Sequence, residues 1–163
     1  MPSRWKYFRV ICILQLILSG FMAGHSFVYF MMRGRGIDAL DTVCFTFIAL
    51  FASFGMTLLQ NNYPDTLLET SQKRYFNFLY IANFLLVSFV GAHIYNERWA
   101  MELFTYGFGF DFWDALQILL PAIIYTLILV FQIRILYGMF RLRRELYANY
   151  LKLVEQIASG ETS

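Results

Sequence analysis

By type and spacing, two histidines and four aspartates are the residues of this chain best equipped for chemistry. His25 and His93 each sit near one end of an apolar run. Each is followed, across a loop, by an Asp-x-x-Asp that opens the next run: Asp38-Ala-Leu-Asp41 and Asp111-Phe-Trp-Asp114. Imidazole and carboxylate are ligands for divalent metals, and two imidazoles on different helices can hold a haem iron. A cofactor centre on His25 and His93, or a metal site on these two with Asp41 and Asp114, is therefore one expectation.

The competing expectation is structural. Aspartate at an N-cap or in a first turn satisfies free backbone N–H groups and suits the helix dipole, which accounts for all four carboxylates without a ligand. At 100° per residue, His93 falls opposite the polar stripe of its own helix and His25 about 80° from its stripe, so neither points into a bundle. Two dispersed histidines lack the fixed spacing of a metal motif. The structural reading is preferred, with no cofactor and no metal. Cys12 and Cys44 fall at opposite ends of neighbouring runs, too far apart to bridge, and read as buried thiols. A nucleophile with its base and oxyanion donors is not visible, so no enzymatic activity is expected.

Stepping from these residues to the elements that carry them, four stretches hold no Asp, Glu, Lys or Arg: Val10–Met32, Thr42–Pro64, Tyr75–Asn96 and Ala115–Ile133. A helix needs about 20 apolar residues to cross a hydrocarbon layer of ~30 Å. The chain of 163 residues is 59% hydrophobic and 15% charged, more apolar than one soluble core can hide. The expectation is an all-α membrane protein, an up-down-up-down four-helix transmembrane bundle over residues 1–140. Its spans cover about 8–31, 40–62, 75–96 and 114–139. A cytoplasmic amphipathic helix over 141–158 follows, with Leu142, Leu146, Tyr150, Leu153 and Ile157 at helical spacing, then a flexible tail over 159–163. That helix either lies on the membrane, where its Arg-Leu-Arg-Arg cluster favours anionic lipid, or extends span 4 beneath the bundle. The first run is longer than a secretory h-region and lacks a cleavage site, so it reads as a retained span.

Nine Lys and Arg (Arg4, Lys6, Arg9, Lys73, Arg74, Arg141, Arg143, Arg144 and Lys152) fall on the side of the termini, against Arg33, Arg35 and Arg98 on the other. The positive-inside rule then makes both termini and the 61–74 loop cytoplasmic. Trp5, Trp99 and Trp113 read as interfacial anchors. Within the loop "NNYPDTLLETSQKR", Asn61, Asn62 and Pro64 stop one helix, and Thr66-Leu-Leu-Glu69 fits a capping box for the next. Small and polar residues align on each span and predict an inward packing seam of Gln15, Ser19, Gly20, Gly24, Thr46, Ser53, Ser88, Gly91, Gln117 and Gln132. Gly20-Phe-Met-Ala-Gly24 permits close helix approach, within the chain first and between two copies second. A hydrophilic path along the seam, hence a small permeation protein, is the remaining alternative. No acidic group lies within the runs to couple protons or ions.

The block "NNYPD…QKRYFNFLYIANFLL", over about residues 58–90, resembles one in uncharacterised small four-span membrane proteins of bacteria. The resemblance implies a bacterial inner membrane and carries no activity. The expected function is thus a non-catalytic polytopic membrane protein, a subunit or accessory partner. Its partners are the lipid bilayer and another membrane protein or a second copy of itself, with no nucleic acid.

Overall fold

A computed structural model of the protein describes residues 2–105 and 112–159, with side chains described over 2–96, at Trp113 and over 119–159. The described residues form four helices: α1 (Ser3–Arg33), α2 (Gly36–Asn62), α3 (Thr70–Thr105) and α4 (Phe112–Ala158). All four are long and apolar enough to cross a membrane.

The helix ends follow from local chemistry. α1 stops at Gly34, whose φ of 64° is left-handed and whose N–H reaches Phe30 O at 2.7 Å, a glycine C-cap that satisfies an orphan carbonyl. Arg33, in the last turn, lies 4.4 Å from the Tyr29 ring centroid. α2 opens with Asp38 in its first turn, where a carboxylate suits the helix dipole, but no side chain makes a capping hydrogen bond at that end. It ends at Asn62, whose carbonyl accepts from Thr66 N–H at 2.9 Å.

The cap of α3 sits three residues later than the Thr66–Glu69 box. Glu69 precedes the helix, and the Gln72 side chain reaches back to the Glu69 N–H at 2.9 Å. The third helical residue therefore makes the return half of a capping box. Asn62 completes this turn by donating to Leu67 O and to Gln72 Oε1. The Asn149 side chain, far along α4, donates to Pro64 O at 2.8 Å.

Buried positions recur at alternating steps of three and four. On α1 they are Trp5, Phe8, Cys12, Gln15, Ser19, Met22 and Ser26; on α2, Phe45, Ile48, Ala52, Gly55, Leu59 and Asn62. On α4, Ile128, Gln132, Ile135, Met139, Leu142 and Leu146 continue the pattern. A mean step of 3.5 is the seam of knobs-into-holes helix packing. The outward faces carry large apolar side chains such as Phe21, Phe84, Leu85 and Tyr137. In lipid such a surface costs nothing, and association rests on close packing and interhelical hydrogen bonds.

Close approach occurs where the sequence reading did not look. Phe8 of α1 packs its ring against Gly138 of α4 and Gly55 of α2, and a Cβ added at Gly138 would run into that ring. Gly20 and Gly24 face outward, with nothing within 4 Å of where a Cβ would stand. The small-residue pair of α1 is on the outer surface.

The helix expected over 141–158 is the continuation of α4, which runs unbroken for 47 residues, with Pro121 inside it. Leu142 and Leu146 are buried beneath the bundle, while Tyr150, Leu153 and Ile157 are exposed. Trp5 is no interfacial anchor. It is 2% exposed, packs edge-on against Phe8, and donates its indole N–H to Glu145 Oε2 at 3.2 Å. Trp113 is on the surface, and the side chain of Trp99 lies outside the described residues.

Candidate functional site

Three amide side chains meet in the interior, one each from α1, α3 and α4. Gln15, Asn83 and Gln132 are fully buried. Gln15 Nε2 donates to Gln132 Oε1 at 3.1 Å and to Ile128 O at 3.2 Å. Gln132 Nε2 donates to Asn83 Oδ1 at 2.6 Å. Asn83 Nδ2 donates to Leu79 O on its own helix at 2.8 Å and to Phe47 O of α2 at 3.5 Å. The relay thus touches all four helices.

On α1, α3 and α4 the buried residues of two apolar clusters lie to either side of this layer. One holds Trp5, Phe8, Phe51, Phe76, Ile135 and Met139; the other holds Met22, Phe45, Ile48, Val90 and Ile128. An amide in hydrocarbon must find partners or bear the cost of desolvation, so the relay fixes the register of the helices as well as joining them. Gln15 Oε1 is buried without a donor among the described residues.

The second polar feature is a half-buried, hydrogen-bonded pair nearer the other end of the bundle. His93 Nε2 of α3 stands 3.2 Å from Asp41 Oδ1 of α2, with the two side chains 19% and 14% exposed. The Tyr125 ring of α4 stacks on the imidazole at 4.9 Å, Phe89 meets it edge-on at 4.7 Å, and Phe45 lies at 6.1 Å. His93 therefore points inward, contrary to the wheel reading. Ser88, a member of the expected seam, is exposed; Asn83, with Phe76 and Val90 seven residues to either side, marks the inner face. Asp41, the sixth residue of α2, is past the first turn, so pairing rather than capping accounts for its side chain.

His25 lies elsewhere. It is exposed on α1 and stacks with Phe21 and Tyr29 of its own helix, at 6.3 and 4.6 Å. The two histidines share no neighbour among these ring contacts. Among the described residues no group of three or more His, Cys, Asp or Glu could hold a metal. The side chains of Asp111, Asp114 and Gln117 lie outside the described residues. Cys12 and Cys44 are free and buried.

The expected seam divides accordingly. Gln15, Ser19 and Gln132 lie in the interior, and Ser53 and Gly91 are half-buried. Thr46, Ser88, Gly20 and Gly24 are exposed. The threonines of α2 explain the error. Thr42, Thr46 and Thr57 donate to the carbonyls of Asp38, Thr42 and Ser53, four residues back on the same helix. A hydroxyl satisfied within its own helix needs no partner across the bundle and can face lipid. Asn83 was missed, although it is an amide isolated among apolar residues, the strongest inward marker such a helix can carry.

No family model matches this chain, and neither does any curated protein or any solved structure. What the chain presents is four helices each long and apolar enough to cross a membrane.

Proposed function

We propose that this protein is an up-down-up-down bundle of the bacterial inner membrane, with both termini cytoplasmic, acting as a non-catalytic subunit or accessory partner of another membrane protein. The amide relay carries the reading. Gln15, Gln132 and Asn83 spend their donors on one another and on backbone carbonyls, which supports a closed packing layer over a permeation path. Interaction is then left to the outward faces. The topology is supported by contacts between helix ends. Trp5 of α1 meets Tyr63 just after α2, with ring centroids 5.9 Å apart, and Arg4 pairs with Glu145 of α4 at 2.9 Å. Together with the Asn149–Pro64 bond, these gather the start of α1, the end of α2 and the 145–149 stretch of α4 at the level where Lys and Arg are concentrated.

Photo-crosslinking from the intact protein in its native membrane tests the role. Probes at the exposed positions Phe21 of α1, Leu85 of α3 and Tyr137 of α4 should give a protein adduct from one face and lipid adducts from the others. Lipid adducts alone from all three would overturn the partner reading. That His25 and His93 share no ring neighbour argues against the haem or metal alternative. Absorbance and metal analysis of the purified protein check it directly.

A further inference from the structure

We infer that the groove between α3 and α4, closed by the 63–69 loop, is a binding site for an anionic glycerophospholipid, with the phosphate held by Lys73, Arg143 and Arg144. The groove has a volume of about 710 Å³, within the size range of ligand pockets. Its cations gather toward one end, with Leu67, Leu68, Leu146 and Tyr147 beside them. Lys73 stands in the first turn of α3, and Arg143 and Arg144 lie opposite on α4. Tyr80 and Ile81, two turns further along α3, and Phe140, one turn before the arginines on α4, make the other end apolar. A turn of helix rises about 5.4 Å, so cations and apolar wall are separated by roughly the distance from a phosphate to the first acyl methylenes.

The charge at the mouth is one-sided. Among the described residues no carboxylate lines the groove, and Lys73 and Arg144 make no ion pair. Glu145, the nearest acid on α4, faces away and is held by Arg4 at 2.9 Å and Arg141 at 3.1 Å. Arg143 is already oriented: it donates to Asn77 Oδ1 at 2.9 Å, and its guanidinium lies 5.2 Å from the Phe76 ring centroid. A planar guanidinium fixed in this way meets a phosphate with little further ordering. An apolar trough opening toward lipid beneath three cations matches an anionic headgroup with an attached chain better than a free anion, which would gain nothing from the trough.

This inference rests on the reading of the chain as a membrane protein, and recovery in the washed membrane fraction tests that reading separately. The site itself is tested by native mass spectrometry of the detergent-purified protein with phosphatidylglycerol or phosphatidylcholine of the same chains. Phosphatidylglycerol should bind on the order of tenfold more tightly, and the preference should vanish in the Lys73→Gln, Arg143→Gln, Arg144→Gln variant. The Lys6→Gln, Arg9→Gln variant, altered on exposed α1 positions outside the groove, should keep it. Equal binding of the two lipids, or a preference that survives the triple change, overturns the inference. Should the triple variant fail to fold, Phe140→Trp in the otherwise intact chain provides a second reading. Phosphatidylglycerol brominated on its acyl chains should quench the added indole more strongly than brominated phosphatidylcholine. Equal quenching, or displacement of the lipid by glycerol phosphate alone, overturns it as well.

Discussion

Gln132 is the middle of the amide relay, and its removal should cost more than removal of either end. Gln132→Leu leaves Asn83 Oδ1 and one donor of Gln15 without partners, a loss of about 1–2 kcal/mol for interhelical bonds in a membrane protein. Gln15→Leu also deletes the unpaired Oε1, which offsets part of its loss, so unfolding in detergent should rank Gln132→Leu as the more damaging change. The reverse order would mean that the relay is not what joins the helices. A second contrast concerns glycines. Gly138→Ala forces the buried Phe8 ring to move and should destabilise by roughly 1–3 kcal/mol. Gly20→Ala meets open space and gains helix propensity, so it should be neutral or mildly stabilising. His93 and Asp41 should show coupling in a double-mutant cycle of His93→Gln and Asp41→Asn, of about 0.5 kcal/mol or more, since the two half-buried side chains are hydrogen-bonded to each other. His25→Gln should show no coupling to Asp41.

At the scale of the element, α3 provides the sharpest check, because its two faces were assigned in opposite senses by hydroxyl pattern and by packing. Ser88 is exposed, whereas Leu86 is half-buried against Phe45, Val90 and their neighbours. Ser88→Leu in lipid or detergent should therefore change stability by less than about 0.5 kcal/mol, as at other surface positions. Leu86→Ala should cost clearly more, in the direction of a core truncation. Thermal unfolding of the two variants side by side decides between the faces. α4 illustrates how an element outgrows the bilayer. At ~1.5 Å per residue its 47 residues run about 70 Å, more than twice a hydrocarbon layer. The surplus is anchored only as far as Leu146 and Asn149, beyond which its apolar residues are uncovered.

For the whole molecule, the contacts among helix ends and the distribution of Lys and Arg lead to one labelling pattern. A cysteine placed at Asp65 should be shielded from an impermeant thiol reagent in intact cells, and one at Gly36 should react; the native Cys12 and Cys44 are buried and should give little background. Labelling at Asp65 with protection at Gly36 would invert the protein in its membrane. That labelling pattern, if found, would put the groove of Lys73, Arg143 and Arg144 in the cytoplasmic leaflet, so the lipid experiment and the labelling experiment constrain each other.

The number and rough placement of the helices able to cross a membrane were legible in the four uncharged runs, because hydrocarbon excludes charge whatever the helices pack against; their full lengths were not, since α3 and α4 run well past those runs. Gln15, Ser19 and Gln132 were legible as interior for a related reason, since amides and small residues mark helix contacts in lipid. The inner faces of α2 and α3 were not. In water, polarity tells the outside of a helix from the inside; in lipid both are apolar, and a threonine bonded to its own helix is as comfortable outward as inward. Only the assembled bundle shows that Thr46 and Ser88 face out, that Phe8 wedges between Gly55 and Gly138, and that Asp41 waits for His93 from 52 residues away. Those pairings depend on which helix lies beside which, and hydropathy along a chain carries no record of that.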